Sequence, residues 1–201
     1  MENHDALTSL KKSLSSVSRL AYQRGLTTGT GGNISVRLPG GNLVLITASG
    51  VSLGETDETN LISVDLEGNL VEGSPGFRPS KETPFHTLIY RIRPEVGAVV
   101  HVHPPFATAY AVRGLAIPLL TASSYGLEGI PLVDYAPAGS RELAEYVQAA
   151  VTNHPRARVF LLKNHGLIAL GPSLTAAYDL ADLVEGTAKI GWLSSFIGAN
   201  Q

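Results

Sequence analysis

No cysteine occurs among the 201 residues. Disulfides, thiolate metal sites and a cysteine nucleophile are excluded at once, and the composition suits a reducing cytoplasm. Charge is also sparse: charged residues make up 16% of the chain, the formal net charge is −2, and Lys and Arg are scattered. Without a basic stripe nothing here is built to neutralise a nucleic-acid backbone, so small-molecule chemistry is the expectation. Long hydrophobic runs are missing too. The opening MENHDALTSLKKSL has no basic segment leading into an apolar one, and no run reaches the roughly 20 apolar residues of a spanning helix. A soluble cytoplasmic protein with no membrane partner is expected. Repeats, linkers and low-complexity segments are absent as well. With 44% hydrophobic residues, residues 1–201 are expected to form one domain, because compact domains commonly span about 100–200 residues.

What is present alternates between helical and strand patterns. Leu7, Leu10, Leu14, Val17 and Leu20 recur at three- and four-residue steps, predicting a helix over 5–24 that Gly25 ends. NISVRL and NLVLIT around PGG, then LISVDL and NLV around EG, read as hairpins. TPFHTLIYRIR reads as a helix capped by Thr83 with Pro84 in first position, followed by the strand VGAVVHVH. FATAYAVRG predicts a short helix, SRELAEYVQAAVTNH a helix opened by its serine, and SLTAAYDLADLVEGTAKIGWL a long final helix. Between them RVFLL and GLIALG read as buried strands. Hairpins first and mixed elements later imply an α/β sandwich around a largely antiparallel or mixed sheet.

Six histidines punctuate this pattern. In a strand, alternate side chains share a face, so His101 and His103 point one way and Val100 and Val102 the other. Such a pair serves equally well as two metal ligands or as hydrogen-bonded core filler. A catalytic transition metal wants a third ligand, and His165 in LLKNHGLIALG sits where a buried strand turns at Gly166 into another. His4 near the terminus and His154 before Pro155 read as surface residues, and His86, four residues after Glu82 on a helix, reads as structural. Glu82 on its own would be an exposed first-turn carboxylate favouring the helix dipole. The turns TGTGGN, ASG and PSKE either join strands or let backbone N–H groups approach an anion.

GTGGNISVR, ITASG, SKETPFH, VVHVHPPFATA and KNHGLIALG stand in the order and spacing of the class II aldolase/adducin family, which the chain resembles over nearly its whole length. The resemblance implies a three-layer α/β/α sandwich with a central, mainly antiparallel sheet. It also implies a zinc ion held by three histidines matching His101, His103 and His165, a catalytic carboxylate at Glu82, and a cyclic homotetramer with active sites between neighbouring subunits. Gly32, Asn33, Ser49, Gly50 and Ser80 match the family's phosphate-binding positions. The activity implied is a carbon–carbon lyase of carbohydrate metabolism, cleaving a phosphorylated ketose or sugar acid through a metal-stabilised enediolate.

Neutral imidazoles leave zinc most of its charge, so it acts as a Lewis acid on a carbonyl; three histidines can also hold iron, manganese or cobalt. Glu82 would move the proton to or from the enediolate carbon. One position departs from the fuculose-phosphate aldolase pattern: Lys81 stands where that branch has a second serine. SKE resembles the family's sugar-acid branch, such as the 3-oxo-tetronate 4-phosphate decarboxylases, where loss of carbon dioxide yields the same enediolate. Lys81 would grip phosphate or a substrate carboxylate. The retro-aldol route also needs a group for the hydroxyl proton of the departing aldehyde, and Tyr125 in ASSYGLEG is the candidate, working across a subunit interface, or else an ordinary tyrosine. An epimerase fits less well, since those relatives carry Asp at Glu82. A non-catalytic, adducin-like assembly module would not need the three histidines and Glu82.

Overall fold

The computed structural model describes residues 2–127 and 129–197. Its centre is an eight-stranded sheet in the order β4-β3-β2-β1-β5-β8-β7-β6. The strands are β1 (Asn33–Arg37), β2 (Leu43–Thr47), β3 (Leu61–Asp65), β4 (Leu70–Glu72), β5 (Ala98–Val102), β6 (Leu132–Val133), β7 (Val159–Leu162) and β8 (Gly166–Gly171). Every pairing is antiparallel except that of β6 with β7. β6 has two residues, too few for any periodicity to announce it in the sequence.

Among the described residues five α-helices cover the two faces: α1 (Glu2–Gln23), α2 (Thr83–Ile92), α3 (Pro105–Arg113), α4 (Arg141–Asn153) and α5 (Leu174–Ser194). Alternation along the strands sorts the core into two halves. Ile34, Val100, Val102 and Leu167 pack under α1, α3 and α5 with Leu14, Ala107 and Val184. Val44, Val99 and Ile168 pack under α2 and α4 with Phe85, Ile89 and Val147. The three-layer α/β/α architecture follows. No helix among the described residues is long and apolar enough to cross a membrane.

Two details depart from expectation. In α1, Leu7, Leu10, Leu14 and Val17 face the core, but Leu20 is 41% exposed and Ala21 is buried instead. At about 100° per residue, position 20 lies roughly 120° round the helix from Leu14, whereas position 21 nearly eclipses it. At α2 the cap position is Glu82, with Thr83 the first helical residue, and the Glu82 side chain makes no capping bond. Ser80 takes that work over: its hydroxyl accepts from the Glu82 N–H at 3.2 Å and its carbonyl from the Thr83 N–H at 3.0 Å. The carboxylate is thereby free to turn inward.

Helix α3 begins at Pro104-Pro105 and has no side-chain cap of its own. Glu185 of α5 supplies one, accepting from the N–H groups of Phe106 at 3.0 Å and Ala107 at 2.8 Å. Glu185→Ala would leave both donors unpaired at a helix N-terminus, so a stability loss of about 1–3 kcal/mol is expected. Urea denaturation would read this as a lower midpoint, and an unchanged midpoint would mean that water replaces the carboxylate.

Candidate functional site

β5 lies between β1 and β8, with His101 opposite Asn33 on one side and Ile168 on the other. His101 is fully buried, and its Nδ1–H donates to the Leu167 carbonyl at 2.9 Å. That bond turns Nε2 toward the site, as an orienting carbonyl does for a metal-ligating imidazole. His103 follows just past the end of β5. A Cβ on Gly31 would lie 2.8 Å from its Nδ1, and one on Gly166 2.6 Å from its Cδ2, so only glycines leave room for this ring. His165 arrives from the turn between β7 and β8, where Asn164 adopts φ 55°, the one positive φ outside glycine among the described residues. Asparagine is one of the few residues that tolerates it.

The three rings converge, with one nitrogen from each lying within 4.8 Å of the others. His101 Nε2 and His103 Nε2 are 3.0 Å apart. Glu82 joins them, 7% exposed, with Oε2 3.1 Å from His101 Nε2 and Oε1 3.4 Å from His165 Nε2. Asn33 Nδ2 donates to Oε2 at 2.8 Å, while Oε1 is buried without a hydrogen-bond donor. Burial alone would push the Glu82 carboxyl up, but His101, the Asn33 amide and His165 outweigh it and hold it well below the usual carboxylate range. His101 is pulled the other way: desolvation would lower it, and the adjoining carboxylate raises it above its ordinary value. Desolvation and the neighbouring imidazoles lower His103 to about 3, and desolvation with His101 lowers His165 to about 4.

This donor set fits a divalent cation. Two imidazoles stay neutral far below neutral pH, their lone pairs crowd a third, and a buried carboxylate oxygen beside them accepts no hydrogen bond. Glu82, His103 and His165 line a cleft of about 270 Å³, with the fully buried His101 behind them. Its walls are the three glycine- and serine-rich turns. The bridge between Ala48 and Pro79, and the Ser49 N–H donating to the Arg78 carbonyl at 2.9 Å, lay the end of β2 against the entry to α2. Ser49, Gly50, Ser80 and Lys81 thus stand together and line the cleft with Gly32 and Asn33.

The class II aldolase and adducin N-terminal domain family matches residues 12–192. The chain belongs to the class II aldolase and adducin family. It is 35% identical over 178 residues to an L-fuculose phosphate aldolase of Methanococcus maripaludis, covering 88% of this chain and 93% of the relative. It is 34% identical over 188 residues to a 3-oxo-tetronate 4-phosphate decarboxylase of Escherichia coli K12, covering 90% and 85%. The solved structure of an L-fuculose 1-phosphate aldolase superposes with a TM-score of 0.85 at 32% identity, covering 96% of this chain and 90% of that one.

The class II aldolase fold therefore brings together His101, His103, His165, Glu82, Gly32, Asn33, Ser49, Gly50, Ser80 and Lys81. Tyr125 is not brought to them: it is 73% exposed and lines no part of the cleft. His154 is an exposed C-cap of α4, and the His4 side chain lies outside the described residues. Sequence reasoning named the turns TGTGGN and ASG without singling out Thr30, Gly31 and Ala48 within them, and it missed Ala138 of the cleft wall, which carries no chemical signature. It also missed the company His86 keeps. The fully buried His86 is in hydrogen-bond contact with Asn33 and Ser35.

Proposed function

We propose that the protein, as one class II aldolase/adducin-like unit spanning residues 1–201, is a zinc-dependent carbon–carbon lyase for a phosphorylated ketose or sugar acid in the cytoplasm. The observation that carries this reading is the buried Glu82 carboxylate oxygen without a hydrogen-bond donor, set against three converging imidazoles of which His103 and His165 line a cleft. Residues His101, His103 and His165 would hold the metal, which when bound supplies Lewis acidity toward a carbonyl and stabilises the negative charge left when the adjacent carbon–carbon bond breaks. Glu82 exchanges the proton at that carbon, as a carboxylate held beside the reacting atoms and anchored by Asn33. Gly32, Asn33, Ser49, Gly50 and Ser80 would bind the phosphate from the glycine- and serine-rich turns that line the cleft. The exposure of Tyr125 suits a residue that serves a neighbouring subunit's cleft in a homotetramer, where it would protonate or deprotonate the departing aldehyde's oxygen.

A second reading, decarboxylation of a phosphorylated 3-oxo sugar acid, is favoured by Lys81. Its backbone packs against the loop at Gly139, where a Cβ would come within 2.9 Å of the lysine Cβ, and its side chain stands at the cleft rim beside Ser80. A substrate carboxylate there would meet a cation, whereas a simple ketose phosphate offers no second anion. Assays of zinc-loaded protein with both substrate classes, in wild type and Lys81→Ser, separate the readings. If Lys81 reads a carboxylate, kcat/KM for the 3-oxo acids falls selectively by more than about fivefold, beyond the roughly 0–1 kcal/mol of an exposed ion pair. Equal losses for both classes would assign Lys81 to the shared phosphate, and no loss would make it a solvated side chain. Turnover of neither class would overturn the lyase reading.

A further inference from the structure

Behind Glu82 a file of buried side chains runs into the interface between α2 and the sheet. Asn33 Nδ2 lies 2.8 Å from Glu82 Oε2, His86 Nε2 2.6 Å from Asn33 Oδ1, Ser35 Oγ 2.7 Å from His86 Nδ1, and Tyr90 Oη 2.8 Å from Ser35 Oγ. None of the five is more than 7% exposed. Secondary-structure geometry sets them face to face. Glu82, His86 and Tyr90 are spaced four apart along the entry and body of α2, and Asn33 and Ser35 are alternate residues of β1.

The hydrogens along this file can be placed by elimination. A carboxylate only accepts, so Asn33 turns its NH₂ to Glu82 and its carbonyl to His86. His86 must then donate through Nε2. Buried, and next to His101, its ring is lowered to about 3 and is neutral, which leaves Nδ1 an acceptor. Ser35 donates to that nitrogen, and Tyr90, whose hydroxyl burial pushes up and keeps protonated, donates to Ser35. The polarity is one-way from Tyr90 to Glu82.

We propose that His86 is a positioning residue for Glu82: its Nε2–H fixes which end of the Asn33 amide faces the carboxylate. The two ends of an amide have nearly the same shape, and the Asn33 backbone is pinned by its pairing opposite His101. Hydrogen bonding alone decides the orientation. Remove the His86 donor and Asn33 either keeps a buried, unpaired carbonyl or turns it against Glu82 Oε2, lone pair to lone pair. In the first case nothing holds the amide in the orientation that donates to Glu82, and in the second Glu82 loses its anchor on the side away from the cleft outright. A histidine that merely filled space would have none of these consequences.

The kinetic part of the test rests on the lyase reading; the spectroscopic and crystallographic parts do not. In metal-loaded protein, His86→Leu is expected to lose on the order of 10–100-fold in kcat, the range for outer-shell partners, with KM and bound metal unchanged. His86→Gln places an amide N–H where Nε2–H stood and is expected to recover to within a few-fold of wild type. In ¹⁵N-histidine-labelled wild type, long-range ¹H–¹⁵N correlation is expected to show His86 as the neutral Nε2–H tautomer. A crystal structure of His86→Leu should show the Glu82 carboxylate displaced from Asn33. An Nδ1–H tautomer of His86 with Nε2 unprotonated, an undisturbed Glu82–Asn33 pair in His86→Leu, or a Gln variant as slow as the Leu variant would each overturn the proposal. Should His86→Leu fail to fold, the tautomer and the Gln variant decide. Should wild type turn over no substrate, the lyase reading fails while the tautomer and the variant structure still judge the positioning role.

Discussion

His101→Ala is expected to strip the protein of metal and to abolish turnover. Wild type grown with ample zinc should carry about one divalent ion per chain, since three imidazoles with a carboxylate beside them make a complete catalytic donor set. His101 is the middle of that set: it is fully buried, its Nε2 is 3.0 Å from that of His103 and 3.1 Å from Glu82, and Phe85 packs edge-on against its ring. Its loss removes one ligand and the group that the Glu82 carboxylate leans on most. The remaining pair would bind metal weaker by more than the roughly 10–100-fold that losing an outer-shell partner costs. Elemental analysis after dialysis checks the first half, and activity before and after chelation and zinc return checks the second. Full metal content in His101→Ala, or wild-type activity that survives chelators, would sink the metal reading.

Glu82→Gln is expected to keep fold and metal and to lose about 10²–10⁴-fold in kcat, the usual share of a general acid–base group. The amide has the same outline, and its oxygen can still accept from Asn33 Nδ2, which now sits 2.8 Å from Oε2. What it cannot do is take up and return a proton. The site around Glu82 is also arranged to keep it ionised, with two imidazoles and an amide acting against its burial, so the neutral substitute changes charge as well as basicity. Single-turnover rates with equal metal loading isolate the step, and a rate near wild type would reassign Glu82 to structure.

Much of this was legible in the chain itself, wherever the relevant geometry spans a few residues. The two-residue step from His101 to His103 forces one face, a strand property that holds before any partner is known. The β1–β2 and β3–β4 hairpins follow from PGG and EG turns, and the serine caps of α4 and α5 from Ser140 and Ser173. The five spaced segments identify the family because each preserves such a local device.

What the tertiary structure alone decided is convergence. His165 meets His101 because β8 pairs with β5, and Asn33 stands beside the histidines because β1 pairs with β5 from the other side. These registers are set by contacts far apart in sequence. Glu82 rather than Thr83 occupies the α2 cap because Ser80 takes both neighbouring N–H groups, and this choice sends the carboxylate inward. His86 passes for core filler in the sequence, and only packing sets it in line with Asn33, Ser35 and Tyr90. Periodicity fixes which way a side chain leaves its own strand or helix; what it meets there is settled by the sheet order and by the two helical layers that close over it.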